Sequence, residues 1–161
     1  MVTFRFVTPA DLERIAEIEN RCFPAAQAAT RAAFEQRIAA FPTHFILLDV
    51  DGVIAGFVNG AVLNERYIAD EMYDSTAYHS EQGAYQSVYG LDVLPEYRGK
   101  GYAHQLMAQL CDQARREGRK GVTLTCLDEK IGFYETIGFK CEGVSDSSHG
   151  GVVWNNMVLE F

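Results

Sequence analysis

Leu91-Asp92-Val93-Leu94-Pro95-Glu96-Tyr97-Arg98-Gly99-Lys100-Gly101-Tyr102-Ala103 is the stretch on which the fold turns. Its first residues read as the end of a strand that stops at Pro95. A tight basic turn follows, and a helix then runs from Tyr102 to Glu117 with Ala103, Leu106, Met107, Leu110 and Ala114 on one face. Such a helix start leaves backbone N–H groups free, and glycines let a ligand approach them closely, which suits a pyrophosphate. Arg98 and Lys100 add positive charge there. The same residues also fit a glycine-rich turn with incidental bases. Neither Gly-x-x-x-x-Gly-Lys-Ser/Thr nor a Gly-x-Gly-x-x-Gly in a βαβ setting is present, which argues against a nucleotide P-loop and a dinucleotide fold.

Upstream, Thr3 to Val7 alternates like a short strand, and Thr8-Pro9 starts a helix with Thr8 as its cap. Leu12, Ile15, Ile18 and Cys22 recur at helical spacing until Phe23-Pro24. Thr30 opens a second amphipathic helix carrying Phe34, Ile38 and Phe41. His44 to Val50, the turn Asp51-Gly52, and Val53 to Leu63 read as a hairpin. The polar stretch from Asn64 to Ala84 is long for a connection and is expected to be functional, mobile or partly helical. Tyr85 to Val93 reads as one strand, and Gly121 to Leu127 as another. Glu129 to Ile137 is a short helix ended by Gly138, followed by strands at Phe139 to Val144 and Val152 to Leu159. Without repeats or an internal linker, residues 1–161 are expected to form one α/β domain.

The bulk properties are those of an ordinary soluble globule: 161 residues, 48% hydrophobic and 22% charged. No apolar run has the length of a membrane span, and Met1 to Pro9 lacks a signal-peptide core, so a cytoplasmic protein with no membrane partner is expected. Cys22, Cys111, Cys126 and Cys141 show no metal-like or redox-like spacing. A formal net charge of -8 argues against a nucleic-acid partner and favours a cationic one.

Arg98, Gly101 and Ala103 form an Arg-x-x-Gly-x-Ala pattern behind Leu91-x-Val93-x-Pro95, and Phe133-Tyr134 is followed by Gly138-Phe139. In this order the two motifs resemble the coenzyme A motif and the Phe-Tyr-x-x-x-Gly-Phe signature of the GNAT acetyltransferase superfamily, and the resemblance covers nearly the whole chain. It implies an α/β (α+β) GNAT fold: a mixed, mostly antiparallel sheet splayed open to hold acetyl-CoA, with helices on both faces. It further implies that pantetheine bonds the backbone of Leu91, Asp92 and Val93. The pyrophosphate would rest on the amides of Gly99, Lys100, Gly101, Tyr102 and Ala103 beside Arg98. No metal or tightly bound cofactor is implied. Glu17-Ile18-Glu19 before Phe23, Cys126-Leu127-Asp128 before Phe133-Tyr134, and Trp154-x-x-Met157 are most similar to the arylalkylamine (serotonin) N-acetyltransferase branch.

An alkylammonium with the pKa of lysine costs about 4–5 kcal/mol to deprotonate at neutral pH, so amine acetylation needs a proton acceptor, and the leaving thiolate needs an acid. The resemblance makes Tyr134 the acid. Where the arylalkylamine branch has two histidines, this chain has Ser87 and Tyr89. Strand alternation would place Ser87, Tyr89 and Leu91 on one face, so Ser87 and Tyr89 are expected to hold water and relay the proton. Asp92 faces away and reads as structural, and His79 in the long polar loop reads as a solvated histidine or a base that swings in. His44, His104 and His149 receive no role. Glu19 either attracts the ammonium or is a surface carboxylate. Phe23, Pro24 and Trp154 correspond to the branch's aromatic substrate sandwich, though Phe23-Pro24 and Trp154 read equally as ordinary core, and the carboxylates between Glu65 and Glu81 would also suit a polyamine. The expected partner is therefore a small-molecule amine, taken by a monomer or homodimer. Two alternatives stay open: acetylation of a protein N-terminus or lysine, which needs an open groove, and a coenzyme A sensor without catalysis.

Overall fold

The hairpin around Asp51-Gly52 sets the register of the first sheet. In the computed structural model, which describes residues 1–161, Asp51 and Gly52 both take positive φ (52° and 86°), the backbone of a two-residue turn matched to strand twist. β2 (Phe45–Val50) and β3 (Val53–Asn59) pair across it, with Val50 opposite Val53. β1 (Val2–Phe6) lies beside β2, and β6 (Gly90–Val93) beside β3, giving the order β1-β2-β3-β6. A second sheet has β4 (Val62–Leu63), β5 (Tyr85–Val88), β7 (Gly121–Cys126), β9 (Asn155–Glu160) and β8 (Lys140–Val144), in that spatial order. β5 and β7 run parallel; the other pairs are antiparallel. The split-sheet α/β architecture is the one expected.

Two runs that read as single strands are each broken where the chain passes from one sheet to the other. Val53 to Leu63 becomes β3 and β4, and Tyr85 to Val93 becomes β5 and β6. Ser87 N–H donates to Ala61 O and Tyr89 N–H to Asn59 O, so the two crossings lie side by side. A Cβ on Gly60 would sit 2.0 Å from Ser87 O, so only glycine allows this approach. An apolar run shows where a strand forms but not where its neighbour changes, which is why the sequence pattern reads straight through both breaks.

Helices cover both faces of the first sheet. α1 (Leu12–Cys22) and α2 (Arg31–Ala40) pack Ile15, Ile18, Phe34 and Ile38 against Phe45, Leu47 and Phe57. On the other face, α4 (Tyr102–Arg116) packs Leu106, Met107 and Leu110 against Leu48, Val58, Val88 and Leu124, joining the two sheets in one core. Alternate residues of β2 therefore enter different cores. Each such side chain contributes roughly 1.5–3 kcal/mol on burial. Thr30 caps α2 by accepting Ala33 N–H at 3.1 Å. Thr8 does not cap in this way: the Asp11 carboxylate accepts both its N–H (2.8 Å) and its hydroxyl (3.0 Å).

The 64–84 connection is partly helical, with α3 (Asp70–Tyr73) and a 3-10 turn at Thr76–Tyr78. α5 (Ile131–Ile137) follows a 3-10 turn at Asp128–Lys130 and ends at Gly138, whose φ of 114° a side chain rarely adopts. The last strand starts at Asn155 rather than Val152. Trp154 Nε1–H bonds His149 O at 2.7 Å, and the 3-10 turn His149–Gly151 keeps this segment a loop. No helix is long and apolar enough to cross a membrane.

Candidate active site

α4 begins with Gly101 at φ 82°, preceded by Gly99 at φ 79°. Left-handed backbone at both positions turns the chain so that the amides from Gly99 to His104 find no backbone acceptor; the first used is Gln105 N–H, bonded to Gly101 O. Free N–H groups at the positive end of a helix are suited to phosphate oxygens. Arg98 leans back, its Nε donating to Val93 O at 2.9 Å, and ties this turn to β6. Arg98 and Ala103 line a cavity of about 840 Å³, with Gly99, Lys100, Gly101 and Tyr102 between them at the surface.

The cavity occupies the split between the sheets. Leu91 and Val93 of β6 line one wall, Leu124 to Leu127 another, and Phe133 and Tyr134 of α5 close its inner side. β6 is the edge strand of its sheet, so its second side has no strand neighbour. Asp92 does not itself line the cavity. Tyr134 is buried, and burial with Cys126 and Asp92 nearby raises its phenol pKa, so it holds its proton at neutral pH.

Ser87 departs from its expected place. The strand break at Tyr89 interrupts the alternation, and Val88, Tyr89 and Gly90 line the cavity instead. Ser87 is fully buried, and its hydroxyl donates to Ala61 O at 2.6 Å. It holds the sheet crossing together and does not line the cavity. The Tyr89 hydroxyl is buried without a partner, and burial raises its pKa too.

Beyond Tyr134 the cavity extends between α1, α2 and the β8–β9 loop. Phe23, Pro24 and Trp154 all line it, together with Tyr73 and His149, which sequence reasoning missed. Tyr73 packs on Tyr89 (ring centroids 4.9 Å) and stacks on His149 (6.2 Å), and His149 lies against Trp154 (6.1 Å). Nothing local in the sequence singles out Tyr73, because α3 is a single turn inside a polar loop. The β8–β9 loop is strapped across this chamber. His149 Nε2 meets Gln27 O at 3.0 Å, and Asp70 receives Ser147 Oγ and, at 3.2 Å, Ser148 N–H. Gly150 approaches the α1–α2 loop so closely that a Cβ would lie 2.9 Å from Gln27.

Glu19 is not a surface carboxylate. It is buried, with Oε2 accepting Ala29 N–H at 2.8 Å. Asp92 is buried against it, and desolvation, followed by the like charge of Glu19, raises the Asp92 pKa well above the usual carboxylate range. Arg37 is buried beside them, bonded to Asn59 Oδ1 (3.2 Å) and Tyr73 O (3.1 Å), with its guanidinium 5.0 Å from the Tyr89 ring. Desolvation lowers the Arg37 pKa, against the opposing pull of Glu19.

His79 is held rather than solvated: Val62 N–H donates to its Nδ1 at 3.0 Å. That assigns its proton to Nε2, 2.7 Å from Glu81. His44, whose Nδ1 meets Gln86 Oε1 at 2.9 Å, faces the same carboxylate at 3.1 Å. The three side chains present ligand atoms within 4.8 Å of one another. With the His79 Nε2 lone pair replaced by a proton, however, the arrangement fits hydrogen bonding that pins the 64–84 loop better than a metal.

A split sheet, free amides at a helix start and a tyrosine in the cleft define a coenzyme A-dependent acyl-transfer class. The sequence model of the Acetyltransferase (GNAT) family matches residues 12–139, and the chain belongs to this family. It is 25% identical over 143 residues to N-alpha-acetyltransferase RimI of Mycobacterium tuberculosis (strain ATCC 25618 / H37Rv), covering 89% of this chain and 81% of that protein. The GphF GNAT-like decarboxylase in complex with isobutyryl-CoA superposes with a TM-score of 0.85 at 21% identity, covering 98% of each chain. Arabidopsis thaliana Naa50 in complex with the bisubstrate analogue CoA-Ac-MVNAL does so with a TM-score of 0.78 at 17% identity, covering 99% of each. The protein is an acetyl-CoA-dependent acetyltransferase. These likenesses give no support to the arylalkylamine branch in particular.

Proposed function

We propose that residues 1–161 form one acetyltransferase domain that moves the acetyl group of acetyl-CoA directly onto the primary amine of a small molecule. The observation that carries the acceptor class is the strap: the β8–β9 loop is bonded to both the α1–α2 loop and Asp70, over a chamber walled by Phe23, Tyr73, His149 and Trp154. A flat, apolar amine fits such walls, and aromatic faces also attract its cation. Four free thiols fit a reducing compartment such as the cytoplasm.

In this reading the amides from Gly99 to Ala103 hold the pyrophosphate, and the free edge of Leu91 to Val93 holds the pantetheine. The neutral amine attacks the thioester carbonyl, the N–C bond forms as the C–S bond breaks, and Tyr134 gives its proton to the departing thiolate. Direct attack is favoured over an acetyl-cysteine intermediate. Cys22 and Cys126 both line the cavity, but burial raises both thiol pKa values, that of Cys126 to about 12, leaving almost no thiolate.

Transfer to a protein N-terminus is the second reading, favoured by the likeness to the mycobacterial RimI protein. It requires the strap to open into a groove. Thiol release from acetyl-CoA with tryptamine, phenethylamine, spermidine, a lysine peptide and peptides with free N-termini separates the two. Turnover confined to peptides would overturn the small-amine reading.

A further inference from the structure

Removing a proton from the acceptor is the one step left without its expected pair, because of Ser87 and Tyr89 only Tyr89 lines the cavity. Three buried polar atoms without hydrogen-bond partners surround a single point nearby. A Cβ built on Gly90 would lie 3.4 Å from Asn59 Nδ2, 3.4 Å from Asp92 Oδ1 and 4.0 Å from Glu19 Oε1, and each of these atoms is buried and unpaired. Gly90 and Glu19 both line the cavity. A point with one donor and two acceptors around it has the partners that a buried water takes. It also sits at the sheet break, beside the cleft where the thioester and amine would meet.

We propose that Glu19 and Asp92 form a carboxyl dyad that takes the proton of the acceptor ammonium through a water in the socket beside Gly90. The inference rests on the amine-acceptor reading. The ammonium gives a proton to the water, and the water passes one to the dyad. The freed lone pair then attacks the thioester carbonyl, the thiolate leaves, and Tyr134 protonates it. The amide nitrogen's second proton replaces the one Tyr134 gave, and the dyad returns its own to solvent, so each turnover releases one net proton.

Burial and the like charge of Glu19 raise the proton affinity of Asp92, so the doubly ionised pair takes up a proton readily. The groups around it fit that role. Arg37 from α2 balances one of the two charges and stops the pair from holding its proton too tightly. Cys22 of α1 lies near Asp92, and its Sγ is engaged with Val93 O. Tyr89 and Tyr73 face Arg37, and Tyr134 on α5 senses Asp92; burial keeps all three phenols neutral. Asn59 supplies the facing group from β3. Glu19 is the member that lines the cavity, and Asp92 stands behind it and acts through it.

The test compares wild type with Glu19→Gln, Asp92→Asn and Gly90→Ala, following amine acetylation against pH together with thermal unfolding. Glutamine keeps an acceptor for Ala29 N–H, and the alanine methyl fills the socket without removing a charge. For an acceptor of ordinary alkylamine pKa, Glu19→Gln is expected to lower kcat about 100-fold with the KM for acetyl-CoA unchanged. The defect should shrink for a weakly basic amine, which arrives without the extra proton. Gly90→Ala should show the same pattern in weaker form. Asp92→Asn should move the acid limb of the rate profile to lower pH.

Asp92 gains stability from being protonated, which the fold loses as pH rises from the ordinary carboxylate range through the raised value. Asp92→Asn should therefore melt at a higher temperature than wild type, by a margin that widens with pH. Equal defects for strongly and weakly basic amines, or an unmoved pH profile, would overturn the proposal. So would an Asp92→Asn protein that melts lower at every pH. Should wild type acetylate no amine, the acceptor reading fails, while the melting series still judges the dyad.

Discussion

At the start of α4 the binding groups are backbone amides from one unbroken run, Gly99 to His104, and their side chains are largely exposed. At the other end of the cavity the walls are side chains, from Glu19, Phe23, Arg37, Tyr73, Tyr89, His149 and Trp154, gathered from segments spread over most of the chain. The first end is specified by conformation: two left-handed glycines and a helix start suffice, and almost any residue types could surround them. The second is specified by identity and packing, since each wall depends on which loop reaches it. The difference explains why the donor of the acetyl group follows from the family, while the acceptor needs an experiment.

Tyr134 stands where the two ends meet, and its loss gives the largest expected effect. Tyr134→Phe should lower kcat about 100-fold, or ~2.7 kcal/mol of barrier, with both KM values nearly unchanged. Steady-state kinetics at saturating acetyl-CoA measure this, and an unaltered kcat would move the acid elsewhere. Trp154→Ala probes the side-chain end alone. It removes one wall and the indole bond to His149 O, and should raise the KM of a small amine about tenfold, the worth of one aromatic contact of ~1.4 kcal/mol. Its KM for acetyl-CoA should not change, and a matching rise there would show that the two ends are coupled.

Gly101→Ala probes the backbone end. A Cβ there meets nothing within 4 Å, so the cost is conformational, about 1–2 kcal/mol for a side chain at φ 82°. The KM for acetyl-CoA should rise several-fold with the amine KM constant, and a fall in kcat alone would contradict the phosphate-cradle reading. Ser87→Ala has the smallest catalytic effect. It should cost about 1 kcal/mol of stability through the lost bond to Ala61 O and leave the pH–rate profile in place. A displaced profile would restore the proton relay through Ser87.

Elements whose cause is local are legible in the residue order alone. The Asp51-Gly52 turn, the Thr30 cap, the apolar stripe of α4 and the Gly138 stop each depend on a few neighbouring residues, and each stands where the pattern puts it. Strand breaks are not legible in this way, because Gly60 and Tyr89 matter through the strand each crosses beside. Glu19 reads equally well as a surface acid, since helical periodicity marks its side of α1 without showing what lies against it. Tyr73 and His149 carry no signal at all: both reach the chamber on irregular segments that long-range bonds hold in place.

By itself, then, the sequence determined the class of chemistry, because Leu91 to Ala103 and Phe133 to Phe139 carry their conformations in their own residue order. Tertiary structure alone decided which side chains face one another across the split. It took Ser87 out of the cavity lining and brought Glu19 and Asp92 together from positions far apart in the chain. Burial and like-charge contact have no counterpart in a linear pattern. They arise only when α1 is packed against β6, and that packing turns two ordinary carboxylates into a candidate base.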